Sequence, residues 1–214
     1  TLDRSSAASD VYKRQIYADP PWYFKNYSSR GEGRNPNQHY GCMSIDDICN
    51  LGIADISERD CVLLMWVVDP LLQEAFRVIE AWGFKYKTVG FTWAKTNQKS
   101  LGFSTGLGYW TRSNPEMCLL ATRGKPKRLL KSVKQLVISS RREHSRKPDE
   151  MYTYIEQLLD GPYIELFART TKEGWDNWGN DSSLLRIFGN TSIPGIDVTS
   201  CSLGHCIGVG AGMA

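Results

Sequence analysis

The sequence predicts an α/β fold, a twisted and mostly parallel sheet flanked by helices, with ligands taken up along one edge. Three observations predict it. Short apolar runs alternate with amphipathic stretches from Ile16 to Ala168, the pattern of strands joined by helical crossovers. The longest run, Cys61–Val68 (CVLLMWVV), is apolar without interruption, as in a strand buried on both faces. The first run, Ile16–Ala18, stops at Asp19-Pro20-Pro21-Trp22, where two prolines forbid further ladder bonding. An acid at the end of a buried parallel strand stands in the crevice where open α/β sheets bind ligands.

Each element has a local cause. At the first turn, Asp19 supplies acceptors, the prolines hold their carbonyls stiffly, and Trp22 offers a flat apolar face. Acceptors beside a stacking face suit a planar ring with an exocyclic amine, adenine or cytosine alike; the same residues also read as a plain turn over a buried Trp. Residues 23–43 form a polar loop with Tyr23, Tyr27 and Tyr40, long enough to be a lid or binding loop. Ser44 caps a short helix whose first turn holds Asp46 and Asp47, where the helix dipole favours acids. After the Cys61–Val68 strand, Asp69 caps a helix with Pro70 at its first position and Leu72, Ala75, Phe76, Ile79 and Trp82 as its core stripe. Gly83 ends it. Lys87–Lys95 is the third strand, residues 96–112 a Gly-rich loop with Tyr109 and Trp110, and Glu116–Ala121 the fourth strand. Leu136–Ile138 is a short fifth. Lys147-Pro148-Asp149-Glu150 opens a helix to Leu159 with the stripe Met151, Tyr154, Ile155 and Leu158. Gly161 closes it, and Tyr163–Ala168 is the last strand.

The totals bound the function. A chain of 214 residues, 23% charged and 41% hydrophobic, reads as one ordinary globular domain. No apolar run approaches the roughly 20 residues of a membrane span, and no secretory core is visible. The six cysteines lack a CxxC pair, which disfavours zinc and a disulfide framework; a cytoplasmic protein without a metal is expected. The net charge of +3 hides an asymmetry: residues 123–147 carry ten Lys/Arg against Glu143 alone, so the rest of the chain is negative. A basic stripe on an acidic molecule fits a phosphate-facing surface, with Lys125, Lys127 and Arg128 as candidate contacts. Ser5–Gln15 back-translates to a transposase adapter used in building sequencing libraries, so residues 1–15 are expected to be non-native, 16–181 the domain, and 182–214 a tail without period.

Six motifs now stand in order: Asp19-Pro-Pro-Trp22, Tyr40-Gly41, Trp93-Ala-Lys95-Thr-Asn97, Lys147-Pro-Asp-Glu150, Glu165-Leu-Phe-Ala-Arg169 and Trp178-Gly-Asn180. In these the chain resembles the adenine-amino methyltransferases that include the catalytic subunit of the mRNA adenosine methyltransferase, and its compact phage and bacterial members above all. The resemblance implies a Rossmann-like methyltransferase sheet in permuted order, catalytic turn first and donor-binding elements last. It implies S-adenosylmethionine (SAM) as methyl donor and the exocyclic amine of adenine as acceptor. Asp19, Pro20, Pro21 and Trp22 would be catalytic. Lys147, Glu165, Arg169, Thr171, Asn180 and Asp181 would line the donor pocket, with Glu165 on the ribose hydroxyls. Tyr40, Glu116 and Ser145 match positions near the target base. The expected partner is nucleic acid, double-stranded DNA before RNA, and the expected state a monomer or homodimer. RNA adenosine, the cytosine amine of DNA, and a non-catalytic nucleic-acid-binding relative remain the alternatives.

Overall fold

The computed structural model describes residues 13–23, 42–108, 110–142 and 146–167. Among these residues six strands make one sheet: β1 (Lys13–Ala18), β2 (Ser57–Val67), β3 (Lys85–Thr96), β4 (Glu116–Arg123), β5 (Leu136–Ser140) and β6 (Tyr163–Leu166). Their order is β5-β3-β4-β2-β1-β6. β1 runs parallel to both β2 and β6, and β3 parallel to β5, whereas β4 is antiparallel to β2 and β3. Five strands therefore share one direction and β4 alone is reversed, as a mostly parallel sheet with one hairpin requires.

The strands alternate between two cores. Ile16 and Ala18 of β1 and Leu63, Met65 and Val67 of β2 point to one face, where they meet α1 (Ile45–Cys49), α2 (Ile53–Ile56) and α3 (Leu72–Ala81). Tyr17, Leu64 and Trp66 point to the other, under α4 (Glu150–Leu158). With both faces covered, β2 has no polar side to show, which is why its Cys61–Val67 stretch is wholly apolar. Burying each of Leu63, Leu64 and Met65 contributes roughly 1.5–3 kcal/mol.

Local signals set the helix ends. Ser44 caps α1: its Oγ accepts the Asp47 N–H at 3.1 Å and donates to Asp47 Oδ2 at 2.7 Å. Gly83, at φ +79°, stops α3. Its N–H donates to Glu80 O and that of Phe84 to Ile79 O, the paired bonds of a Schellman end, a conformation costly for any residue with a Cβ.

The structure moves several expected boundaries. β1 begins three residues before Ile16, inside the segment expected to be foreign to the domain: Gln15 pairs with Val62 and Tyr163. Gln15 is buried, and although its Nε2 donates to Asp160 O, its Oε1 has no partner among the described residues. Asp69 does not cap α3. It opens a 3-10 turn, Asp69–Leu71, holding Pro70, and α3 starts after it. Pro148 precedes α4 instead of starting it, because Asp149 is the cap residue and the Pro148 carbonyl accepts the Met151 N–H. α4 ends at Leu158, before Gly161. β6 stops at Leu166, because Phe167 takes φ +64° and breaks the extended run. Residues 182–214 lie outside the described residues.

Candidate active site

Because β4 is reversed, the edge where the parallel strands end is also where β4 begins. Asp19 follows β1, Asp69 follows β2, Lys95 closes β3, Glu116 opens β4 opposite Trp93, and Glu165 lies beside Tyr17 at the end of β6. The chain reaches this edge again after β5 and delivers Lys147 just before α4.

The turn after β1 is built from backbone bonds. The Asp19 N–H donates to Leu166 O at 3.2 Å, carrying the β1–β6 pairing one residue further. The Trp22 N–H donates to Pro20 O at 2.8 Å and the Met43 N–H to Pro21 O at 2.9 Å. These bonds hold the two proline carbonyls fixed.

A line of alternating charge crosses the edge. Lys147 Nζ lies 2.7 Å from Asp19 Oδ2 and 3.5 Å from Glu116 Oε2, and Lys95 Nζ lies 2.5 Å from Glu116 Oε1. Aromatic faces support both cations: Lys147 sits 5.3 Å from the Trp66 ring centre and Lys95 5.2 Å from that of Trp93. Trp66 Nε1 in turn donates to Tyr17 Oη at 2.7 Å. The side chains of Lys147 and Asp19 are only 15% and 17% exposed, so the pair is worth more than a surface ion pair and costs more to break.

The electrostatics separate the carboxylates. Burial pushes the Glu116 carboxyl up, but the ammonium groups of Lys147 and Lys95 outweigh it and hold the group below the usual range. Asp69 is lifted by burial and by the charge of Glu116, with Lys95 opposing. Burial carries Glu165 up to about 7; the Tyr152 hydroxyl works against that rise, Asp19 adds to it, and Lys147 works against it. Tyr152 Oη donates to Glu165 Oε2 at 2.8 Å, and its ring meets Tyr17 edge-on at 6.1 Å. Beside them, a shallow recess is lined by Tyr17, Leu64, Tyr152, Ile155 and Glu165.

The structure thus brings Asp19, Lys147, Glu116 and Glu165 to one sheet edge. It corrects two expectations. Trp22 does not offer a stacking face: it is 4% exposed, packed with Ile48 and Met65, and its Nε1 donates to Trp66 O at 3.0 Å. An indole beside the proline turn satisfies both its apolar area and its N–H only by turning inward. Lys125, Lys127 and Arg128 do not face the site either. β4 starts at the cleft and runs to the opposite edge, where Arg123 pairs with Cys61 and the Lys125 N–H donates to Asp60 Oδ1 at 2.7 Å. Of the basic stripe, only its second half returns to the cleft edge: Arg141, whose N–H donates to Thr96 O, then Arg142, Arg146 and Lys147. Arg142 and Arg146 are engaged with Asp149. Tyr40, Ser145, Arg169, Thr171, Asn180 and Asp181 lie outside the described residues.

Sequence reasoning missed Lys95, Tyr17, Trp66 and Tyr152 as site residues. Lys95 stood inside a quoted motif, and its signal was a cation closing a strand at the ligand edge. The three aromatics read only as core.

The groups present fit a nucleoside donor that carries a carboxylate. Glu165 and Tyr152 offer partners for vicinal hydroxyls, the faces of Tyr17 and Tyr152 an apolar wall, and Lys147 a cation. Among the described residues, no helix is long and apolar enough to cross a membrane.

The profile of the MT-A70 family matches residues 14–181. A type II methyltransferase, M.MunI of Mycoplasma sp, is 32% identical over 182 residues, 77% of this chain and 75% of that protein. The N(6)-adenosine-methyltransferase catalytic subunit METTL3 of Homo sapiens is 29% identical over 170 residues, 77% of this chain and 27% of the human protein. A putative N(6)-adenosine-methyltransferase MT-A70-like protein of Medicago truncatula is 32% identical over 176 residues, again covering 27% of the relative. The chain therefore spans three-quarters of one relative and about a quarter of the others.

Proposed function

The chain belongs to the MT-A70 family, and from that premise we propose that it transfers a methyl group from SAM to the exocyclic amine of adenine in DNA. One observation carries the reading. The acid of the proline turn, Asp19, is drawn to Lys147 at 2.7 Å, and both stand at the same sheet edge as Glu165, close enough together to serve an acceptor amine and a methyl donor side by side. DNA is favoured over RNA because the relative matched over three-quarters of its own length is a type II methyltransferase.

When bound, SAM supplies an electrophilic methyl on a sulfonium. The chain must do the rest. Adenine's amine is a poor nucleophile because its lone pair is delocalised into the ring. Asp19 accepts one N–H and the Pro20 carbonyl the other, which steers the nitrogen toward a tetrahedral shape with its lone pair free. A carboxylate has about four acceptor sites and a carbonyl two, so neither Lys147 on Asp19 nor the Trp22 N–H on Pro20 exhausts them. Holding nucleophile and methyl in line supplies on the order of 7–11 kcal/mol, and each preorganised polar contact roughly 3 kcal/mol more. No covalent intermediate is needed: the new N–C bond would form as the methyl–sulfur bond breaks to leave a neutral thioether, and the surplus amine proton would pass to the Asp19 carboxylate and on to solvent.

The test is direct. The purified chain with labelled SAM is given genomic DNA, total RNA and unmodified oligonucleotides, and the nucleosides are resolved by mass. N6-methyladenine in DNA is expected; methylated cytosine or adenosine of RNA would reassign the substrate, and no methylated nucleoside would remove the proposal.

Glu165 adds a pH test. Its carboxyl titrates near about 7, and only the anion accepts strongly from ribose hydroxyls. SAM affinity is expected to tighten as pH rises through that value, by about tenfold for one charge-assisted hydrogen bond. Glu165→Gln should flatten the dependence; titration calorimetry between pH 6 and pH 8 reads it, and a flat wild-type curve contradicts the assignment. For folding itself the sign is opposite. A raised carboxyl contributes stability fully present below its unfolded pKa and lost as pH rises through about 7.

A further inference from the structure

A target adenine in a duplex must leave the base stack to be methylated, and with Trp22 inside the core any aromatic face offered to the bases comes from elsewhere on the cleft edge. The loop between β3 and β4 rises from that edge, its stems closing on the Lys95–Glu116 pair. It presents Trp110, 93% exposed, and Phe103, 60% exposed, with Leu107 between them in sequence. From Asn97 to Pro115 it carries Lys99 and Arg112 and no Asp or Glu. Rings held out in water cost free energy unless a partner covers them, and cations without acids select a polyanion.

The loop is braced. Thr96 bridges Phe103, the Ser104 N–H donates to Lys95 O at 2.8 Å, and the Gly106 N–H donates to Ser113 O at 2.6 Å. Asn114 clasps the root from both sides: its Oδ1 accepts the Lys95 N–H at 3.2 Å and its Nδ2 donates to Lys95 O at 2.8 Å. At Gly108, φ +66°, a Cβ would overlap Thr111 O, so the tip turn is tight enough to admit only glycine. Bracing at the loop root lowers the ordering that a contact made by the loop must still impose.

We propose that this loop is a base-stacking element: Trp110 and Phe103 stack on the bases flanking the target adenine while Lys99 and Arg112 face the phosphates. The assignment rests on the nucleic-acid methyltransferase reading above. Stacking is tolerant of sequence because every base has a flat face, so the loop holds the opened strand without specifying the site.

The full chain is titrated with an adenine-rich single-stranded DNA carrying 2-aminopurine, and with its duplex. Trp110→Ala should weaken binding about 5- to 150-fold, the worth of one base–aromatic stack, and lose the quenching of 2-aminopurine. The salt slope should stay unchanged, since no counterions are released by stacking, whereas Lys99→Gln with Arg112→Gln should lower it. Trp110→Phe should restore most of the affinity, and SAM binding should not move in any of these variants. The proposal is overturned if Trp110→Ala, alone and with Phe103→Ala, binds and quenches like the wild type. It is equally overturned if the variant changes only the sedimentation of the protein, which makes the loop a contact between copies. A wild type that methylates DNA while the variants match it removes this inference alone. A wild type that neither binds nor methylates any nucleic acid removes it together with the reading it rests on.

Discussion

Asp19→Asn is expected to lower methyl transfer by about 10²–10³-fold, the cost of removing one preorganised polar contact to the reacting group, while SAM binds as before. The substitution keeps the shape of the side chain and exchanges one acceptor oxygen for an NH2. In the proline turn nothing else changes: the Asp19 N–H still reaches Leu166 O, and the Trp22 and Met43 N–H groups still reach the proline carbonyls. The loss should therefore fall on the chemical step. An amide beside Lys147 no longer forms an ion pair, and its NH2 can present donors to an amine that needs acceptors. Single-turnover transfer from labelled SAM to DNA measures the step, and calorimetry measures the donor. Turnover close to the wild type would show that Asp19 does not orient the amine, whatever family the chain belongs to.

How much of this was legible depends on the kind of signal. The turn at Asp19 was readable from local chemistry, because two prolines can end a ladder in few ways and a buried strand ends at a ligand edge. β2 was readable because it is buried on both faces and so lacks a polar face. Glu116, Lys147 and Glu165 were given site roles only through the resembling family, since in the sequence Glu116 opens its strand and Glu165 lies inside one, so neither reads as the acid that ends a strand at the cleft. Two failures have physical reasons. The charge run puts Lys125 and Lys147 in one basic stripe, but the reversed β4 sets them at opposite ends of the strands. Alternation assigns Tyr17 and Trp66 to a core face without saying that the core ends under the site, where the two are joined at 2.7 Å. Tyr152 fell outside the apolar stripe of α4 and only the fold brings its hydroxyl to Glu165.

The second large effect concerns the cation that those carboxylates share. Lys147 stands between Asp19 and Glu116, and Lys95 pairs, among the described acids, with Glu116. Replacing Lys147 by Met removes the ammonium at 2.7 Å from Asp19 and keeps the charge of Glu165 nearby. Breaking a mostly buried ion pair from one side costs about 3–5 kcal/mol; partial exposure here favours the lower end, roughly 3 kcal/mol, or a Tm lower by roughly 6–12 °C. The pH dependence fixes the cause. In the wild type Glu116 is held below its ordinary range, so it contributes stability present above its unfolded pKa and lost as pH falls through the folded value. Without Lys147 only Lys95 offsets the burial of Glu116, so that contribution shrinks and the acid side of both the Tm and the activity profile should move to higher pH. Lys147→Arg keeps the charge and should recover much of the stability, yet its planar fork cannot place one nitrogen where the ammonium sits, so activity should recover less. Thermal melts and transfer rates from pH 5 to pH 9 distinguish the two. Should Lys147→Met melt with the wild type and keep its acid limb, the alternating line of charge would be incidental to the site.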